Sequence, residues 1–290
     1  MYRLLAVDVD GTLLDSSHVL RPRVRAAVRA LGRRGVHVAL ATGKLLRSAT
    51  ELVQSLNLTG PQITCNGAVI RDARGGELLA FWPLEDVEFA LEALREADPD
   101  LGIAWYSPDA IFTDHKGGDL DAILSAYHEP PLIRVARLDR RLPAPAKLLV
   151  TGSPERLAAT RARVAPRLDG RVQVITTTAD FLEFLSPLAT KGNALRAIMR
   201  ELDIAPDAVV AVGDGENDCS LLAAAGCAVA MGNAVAALCA LATCRTASND
   251  EDGVALVVEA MLAGSPIGFP LAANARAPAR AIEDSHLSAP

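Results

Sequence analysis

Tyr2-Arg3-Leu4-Leu5-Ala6-Val7-Asp8-Val9-Asp10-Gly11-Thr12-Leu13-Leu14 begins as an apolar run and stops on two carboxylates. Leu4 to Val7 have the pattern of a strand buried on both faces, as in a parallel sheet covered by helices. Two unpaired anions inside such a strand would each cost several kcal/mol to desolvate. Asp8 and Asp10 are therefore expected at the carboxyl end of the strand, where open α/β sheets bind ligands. Alternation along an extended strand would point both the same way. Two converging anions call for a cation, and an all-oxygen site suits Mg²⁺. Gly11 lets the backbone turn closely around a bound group. An Asp-x-Asp pair is also common in solvated turns, so the weight falls on the rest of the chain.

The 290 residues exceed one average domain, and half are hydrophobic against 22% charged. That balance suits a globular protein with a sizeable core. The net charge is −6, and no basic stripe carries interleaved aromatics, which excludes the electrostatic footprint of nucleic-acid binding. An anionic substrate would have to meet a local cluster of cations. Cys65, Cys219, Cys227, Cys239 and Cys244 are odd in number and show no Cys-x-x-Cys spacing, so they read as buried reduced thiols. The acidic pair interrupts any apolar core of a signal peptide, and no apolar run is long enough to span a bilayer. A cytoplasmic protein without membrane contact is expected. Oligomeric state leaves no mark in the pattern.

Residues 22–34 carry Val24, Ala27, Val28 and Leu31 at helical spacing, with Gly35 as the stop. A second apolar strand, 36–41, ends in Thr42-Gly43-Lys44. A helix over 47–56 and a strand over 62–65 lead to Asn66-Gly67, a hairpin signal before a strand starting at Ala68. Another turn at Arg74-Gly75-Gly76 precedes a strand over 78–82. This alternation predicts a parallel sheet with right-handed crossovers. Past Pro83 the rhythm changes. Helices over 84–97, 119–127 and 155–168 alternate with strands over 103–106, 111–113, 147–151, 172–176 and 181–185. Paired strands after each helix predict an inserted α+β domain with an antiparallel sheet. From Lys191 the βα rhythm resumes, with helices over 191–202, 218–225, 234–241 and 254–262 and strands over 209–212 and 229–230. Residues 265–290 lack periodicity and are expected to be disordered.

Three further polar clusters end strands or open helices. Thr42-Gly43-Lys44 supplies a hydroxyl, a close-approach glycine and a cation. Thr190-Lys191-Gly192 places a lysine against the positive end of a helix, which makes sense if a phosphate lies between. Gly213-Asp214-Gly215-Glu216-Asn217-Asp218 repeats the acidic logic of the opening strand. Asp214 would complete a metal's oxygen shell, and Asp218 would hold a metal-bound water. Each cluster alone has a bland reading as a capped helix or solvated turn. Together they place complementary charges on one sheet edge.

These motifs resemble those of the haloacid dehalogenase-like phosphatases, and the Cof-type branch fits best. Asn66-Gly67-Ala68, Ala230-Met231-Gly232-Asn233-Ala234 and Asn249-Asp250-Glu251-Asp252-Gly253-Val254-Ala255 carry that likeness further. The resemblance implies a Rossmann-like, doubly wound, mainly parallel α/β core over residues 1–83 and 188–264, with an α+β cap over 84–187. It implies Asp8 as nucleophile and Asp10 as general acid and base. Mg²⁺ would sit on Asp8, the Asp10 carbonyl and Asp214, with Asp218 behind. The N–H groups near Val9 and Gly43, with Thr42, Lys191 and Asn217, would clamp the phosphoryl oxygens of a small phosphorylated metabolite. One departure is Lys44, where the branch usually has arginine; lysine lacks the bidentate fork, so Lys44 is left outside the set. Asp180 and Glu183 could face the cleft and Asp114, His115 and Lys116 could touch substrate, but the first two read rather as structural and the turn as solvated; His18 and His37 read as a loop residue and a strand start. A phosphomutase and a phosphoacceptor signalling domain are the competing expectations.

Overall fold

A computed structural model describes residues 1–74, 76–115, 119–178 and 180–270. The chain opens with β1 (Leu4–Asp8), α1 (Pro22–Arg33), β2 (His37–Ala41), α2 (Thr50–Leu56) and β3 (Pro61–Thr64). An antiparallel pair follows, β4 (Val69–Asp72) and β5 (Leu78–Phe81). The inserted module comprises α3 (Val87–Ala97), β6 (Ile103–Tyr106), β7 (Ile111–Thr113), α4 (Asp119–Ala126), β8 (Ile133–Arg134), β9 (Lys147–Thr151), α5 (Pro154–Leu168), β10 (Gln173–Thr178) and β11 (Phe181–Leu185). The chain then returns through α6 (Lys191–Glu201), β12 (Val209–Gly213), α7 (Cys219–Ala224), β13 (Cys227–Ala230), α8 (Ala236–Leu241), β14 (Cys244–Arg245), α9 (Gly253–Ala263) and β15 (Phe269–Pro270).

The larger sheet runs β15-β14-β13-β12-β1-β2-β3-β4-β5. It is parallel from β14 to β3, with antiparallel strands at both ends. Alternation along β1 explains its layers. Leu5 and Val7 enter one core with α1, α2 and α9, whereas Leu4 and Ala6 enter the other with α6 and α7. In α1, Val24, Ala27, Val28 and Leu31 are all buried, and each larger side chain contributes about 1.5–3 kcal/mol of burial. Helices on both faces push ligand chemistry to the carboxyl edge of the sheet.

The module's sheet runs β10-β11-β9-β6-β7-β8. Helices α3 and α5 cover one face through Leu91, Leu94, Leu157 and Val164. The other face turns towards the larger sheet: Ala104, Tyr106, Leu149 and Phe181 share a cluster with Leu45, Cys65 and Val69.

Several expectations need correction. Strand β1 ends at Asp8, and Val9–Leu13 forms one wide helical turn broken by Asp10 and Gly11 at φ 79°, so strand alternation does not govern Asp10. Strands β8 and β14 fall where no strand was expected, because two residues carry no alternation to read. Residues 265–270 are not structureless, since Phe269–Pro270 pairs with Cys244–Arg245; residues 271–290 lie outside the described ones. All five cysteines are free, but Cys219, Cys227 and Cys239 are only partly buried. No helix among the described residues is long and apolar enough to cross a membrane.

Candidate active site

Asp8 ends the central strand and is almost wholly buried. Its parity with Leu4 and Ala6 directs it towards α6, whose first residue is Lys191. Lys191 Nζ donates to Asp8 Oδ1 and to Asp218 Oδ1, both at 2.6 Å. The Thr190 hydroxyl caps this helix by accepting from the Asn193 N–H at 3.1 Å. Asp218 Oδ2 accepts the N–H groups of Asp214 and Gly215, each at 3.0 Å. Asp218 thus has both oxygens engaged, and it locks Lys191 to the loop after β12. Asp214 Oδ1 accepts the Thr12 hydroxyl at 2.6 Å. The close approach of Asp214 requires Gly11, since a Cβ there would lie 2.5 Å from Asp214 Oδ2.

Charge is unbalanced in this cluster. Burial, then the Asp218 charge, pushes Asp8 well above the usual carboxylate range against the pull of Lys191. Burial also dominates at Asp214, pushed up to about 6 despite the Thr12 hydrogen bond. Burial alone would lower Lys191, but Asp218 and Asp8 outweigh it and hold the ammonium above its ordinary value. One oxygen from each of Asp8, Asp214 and Asp218 lies within 4.8 Å of the other two, with one ammonium to offset three carboxylates. A divalent cation could supply the missing charge, and a donor set without sulfur or imidazole fits a hard ion such as Mg²⁺.

Asp10 lies on the turn and meets a different partner. Lys44 Nζ donates to Asp10 Oδ1 at 2.8 Å, and His18 Nδ1 stands 3.4 Å from the same oxygen. His18 and Lys44 are therefore drawn into the site. Thr42 is buried, and its hydroxyl accepts the Lys44 N–H at 3.1 Å. Val9 sends its side chain into the core, which leaves only its backbone available to the site.

A cavity of ≈ 300 Å³ opens above these groups. The larger sheet lines it with Asp8, Asp10, Gly43, Lys44, Asp214 and Asn217, and the inserted module with Tyr106, Tyr127, Glu129, Lys147, Phe181 and Glu183. Asn66 was legible as a hairpin turn and as part of the family likeness but not as a buried contact: its amide donates to Glu183 Oε2 at 2.8 Å and accepts from Asn217 Nδ2 at 3.1 Å. Glu183 is thereby drawn in as well. Asp114 pairs instead with Arg95, and His115 with Asp119. Asp180 is exposed and His37 begins β2, while Lys116 lies outside the described residues.

A profile of haloacid dehalogenase-like hydrolases matches residues 5–258. The chain belongs to the haloacid dehalogenase-like hydrolases. HMP-PP phosphatase of Cronobacter sakazakii is 33% identical, over 83% of this chain and 88% of its own length. Phosphoglycolate phosphatase of Methanopyrus kandleri is 28% identical, over 90% and 98% respectively. The crystal structure of a haloacid dehalogenase-like hydrolase from Bacteroides thetaiotaomicron superposes with a TM-score of 0.79 at 28% identity, covering 90% of this chain and 100% of that one.

As a haloacid dehalogenase-like hydrolase of the Cof-type phosphatase branch, the protein is an enzyme, and its late motifs gain a physical reason. Asn233 Nδ2 donates to the Gly11 carbonyl at 2.8 Å and its Oδ1 accepts the Asn249 N–H at 3.1 Å. Asn249 Nδ2 donates in turn to the Leu14 carbonyl at 3.0 Å. In this hydrolase the loops after β13 and β14 brace the turn that carries Asp10.

Proposed function

We propose that the protein is a Mg²⁺-dependent phosphatase that hydrolyses a small phosphomonoester, a sugar phosphate or similar metabolite, through an aspartyl-phosphate on Asp8. The observation carrying this reading is the meeting of Asp8, Lys191 and Asp214 at one end of a cavity roofed by the inserted module. Residues 84–187 act as the cap, and residues 1–83 with 188–264 as the catalytic core. The names of the relatives, phosphatases of small phosphorylated compounds, agree with this class.

An Asp8 oxygen attacks phosphorus as the ester P–O bond breaks, and Asp10 gives its proton to the departing alkoxide. Water then attacks the phosphoryl group, Asp10 takes up the proton, and Asp8 is freed with release of phosphate. Lys191 holds Asp8 in place and offsets negative charge. Thr42, Asn217 and the N–H groups near Val9 and Gly43 grip the phosphoryl oxygens, each such donor being worth about 10²–10³ in rate. Asp8, the Asp10 carbonyl and Asp214, with Asp218 supporting them, would hold Mg²⁺, which would supply charge to offset repulsion between anionic nucleophile and anionic substrate. The closed cap excludes water and selects the leaving group.

The test is phosphate release from a phosphometabolite panel and p-nitrophenyl phosphate, with and without Mg²⁺. Asp8→Asn is expected to abolish turnover, and Asp214→Ala to weaken rate and Mg²⁺ dependence together. Activity retained in Asp8→Asn removes that residue from the nucleophile role. Isomerised sugar phosphate without release would instead mark a phosphomutase, and a long-lived phosphoprotein without turnover a signalling domain.

A further inference from the structure

Among the described residues of the cap, one ion pair is buried. Lys147 on β9 and Glu183 on β11 are diagonal neighbours on the face turned to the core, and their charged atoms lie 2.9 Å apart. Their side chains are 2% and 3% exposed. Two charges on adjacent strands of one sheet need nothing from elsewhere to pair. Each nevertheless sends a bond across to the core. Lys147 Nζ donates to the Gly43 carbonyl at 2.9 Å and lies 4.5 Å from the centre of the Tyr106 ring. Glu183 Oε2 accepts from Asn66 Nδ2 at 2.8 Å, and its Oε1 accepts the Thr177 hydroxyl at 3.0 Å. Asn66 passes the constraint on by accepting from Asn217 Nδ2 at 3.1 Å.

An ammonium has three donors, and those of Lys147 are taken up by Glu183, Gly43 and the Tyr106 face. The Glu183 carboxylate accepts three bonds. The Lys147 ammonium has no donor left for a leaving group and Glu183 keeps a single acceptor site, on Oε1, although both line the cavity. What they touch is the loop after β2, with Thr42 and Gly43, and, through Asn66, the loop after β12, with Asn217.

We propose that Lys147 and Glu183 are positioning residues for phosphoryl transfer: one ion pair on the cap sets two separate core loops that grip the phosphoryl group. The proposal rests on the phosphatase reading and adds to it that cap closure and alignment of these loops are a single event. Opening the cap takes both cross-links away together and leaves a buried pair facing water. Misplacement of a catalytic contact by about 1 Å can cost about 100-fold in rate, so the effect belongs in kcat.

The experiment compares full-length wild type, Glu183→Gln, Lys147→Met and Asn66→Gly in Mg²⁺, with p-nitrophenyl phosphate and glycerol 3-phosphate as substrates of unlike leaving group. Wild-type phosphate release tests the underlying reading before any variant is made. The variants are expected to lose about 10- to 100-fold in kcat with KM held within about threefold, by the same factor on both substrates. A loss that depends on the leaving group would make the pair a substrate contact and overturn the proposal. So would kcat within twofold of wild type in variants that melt cooperatively. Should Lys147→Met fail to fold, Asn66→Gly carries the test, because glycine readily adopts the φ of 55° found there.

Discussion

Replacing Lys191 by methionine isolates the electrostatics of the site from its chemistry. The side chain is fully buried between Asp8 and Asp218, 2.6 Å from each. Methionine fills much of the same volume but leaves two carboxylates without their shared cation. Breaking a buried pair in this way costs about 3–5 kcal/mol, because the surviving charge stays desolvated. Asp218 keeps the N–H groups of Asp214 and Gly215, which places the expected loss at the lower end. With a urea slope of about 3 kcal/mol/M for a chain of this size, the midpoint should fall by about 1 M. The assay is urea unfolding followed by far-UV circular dichroism in EDTA, which keeps metal linkage out of the comparison. Asp218→Asn, which leaves Lys191 paired with Asp8, should shift the midpoint less. A shift below about 0.3 M for Lys191→Met would refute the view that Lys191 neutralises buried anions.

Gly67→Ala should damage both fold and activity. Gly67 sits at φ 96°, and an added Cβ would lie 2.2 Å from the carbonyl of Thr190, the residue that caps the Lys191 helix. A melting temperature within 1 °C of wild type, roughly the resolution of a scan, would refute this packing argument. In the inserted module, Arg156 grips Asp98 with two hydrogen bonds of 2.6 and 2.9 Å and thereby holds its carboxyl below the usual range. A depressed folded-state pKa contributes stability above the unfolded value of about 3.9 and loses it as pH falls through the folded value. Asp98→Asn should therefore be less stable than wild type at neutral pH, with the gap closing below about pH 4. A gap that stays constant down to pH 3, in thermal melts across that range, would contradict the assignment.

The alternation of βα units was legible because the central strands are apolar runs cut off by a polar or glycine turn, as Val209 to Gly213 is before Asp214. The four clusters were legible because charge at a strand end is conspicuous. Asn66, Lys147 and Glu183 were not. A polar side chain gives no sign of burial in its own neighbourhood, and Asn66 finds Glu183 117 residues away. His18 reads as a loop residue until the turn at Gly11 swings Asp10 towards it. Asp10 itself was placed by strand periodicity, which stops at Asp8. Where backbone geometry changes from extended to turned, side-chain parity ceases to be a guide.

The central position of β1 has a consequence for synthesis. Leu4 pairs with His37 on one side but with Val209 on the other. On a ribosome adding about 5–20 residues per second, this strand waits roughly 10–40 s with an apolar edge unpaired. During that interval the whole of the inserted module emerges. Nascent chains thus carry Asp8 long before its ammonium partner Lys191, which follows 183 residues later.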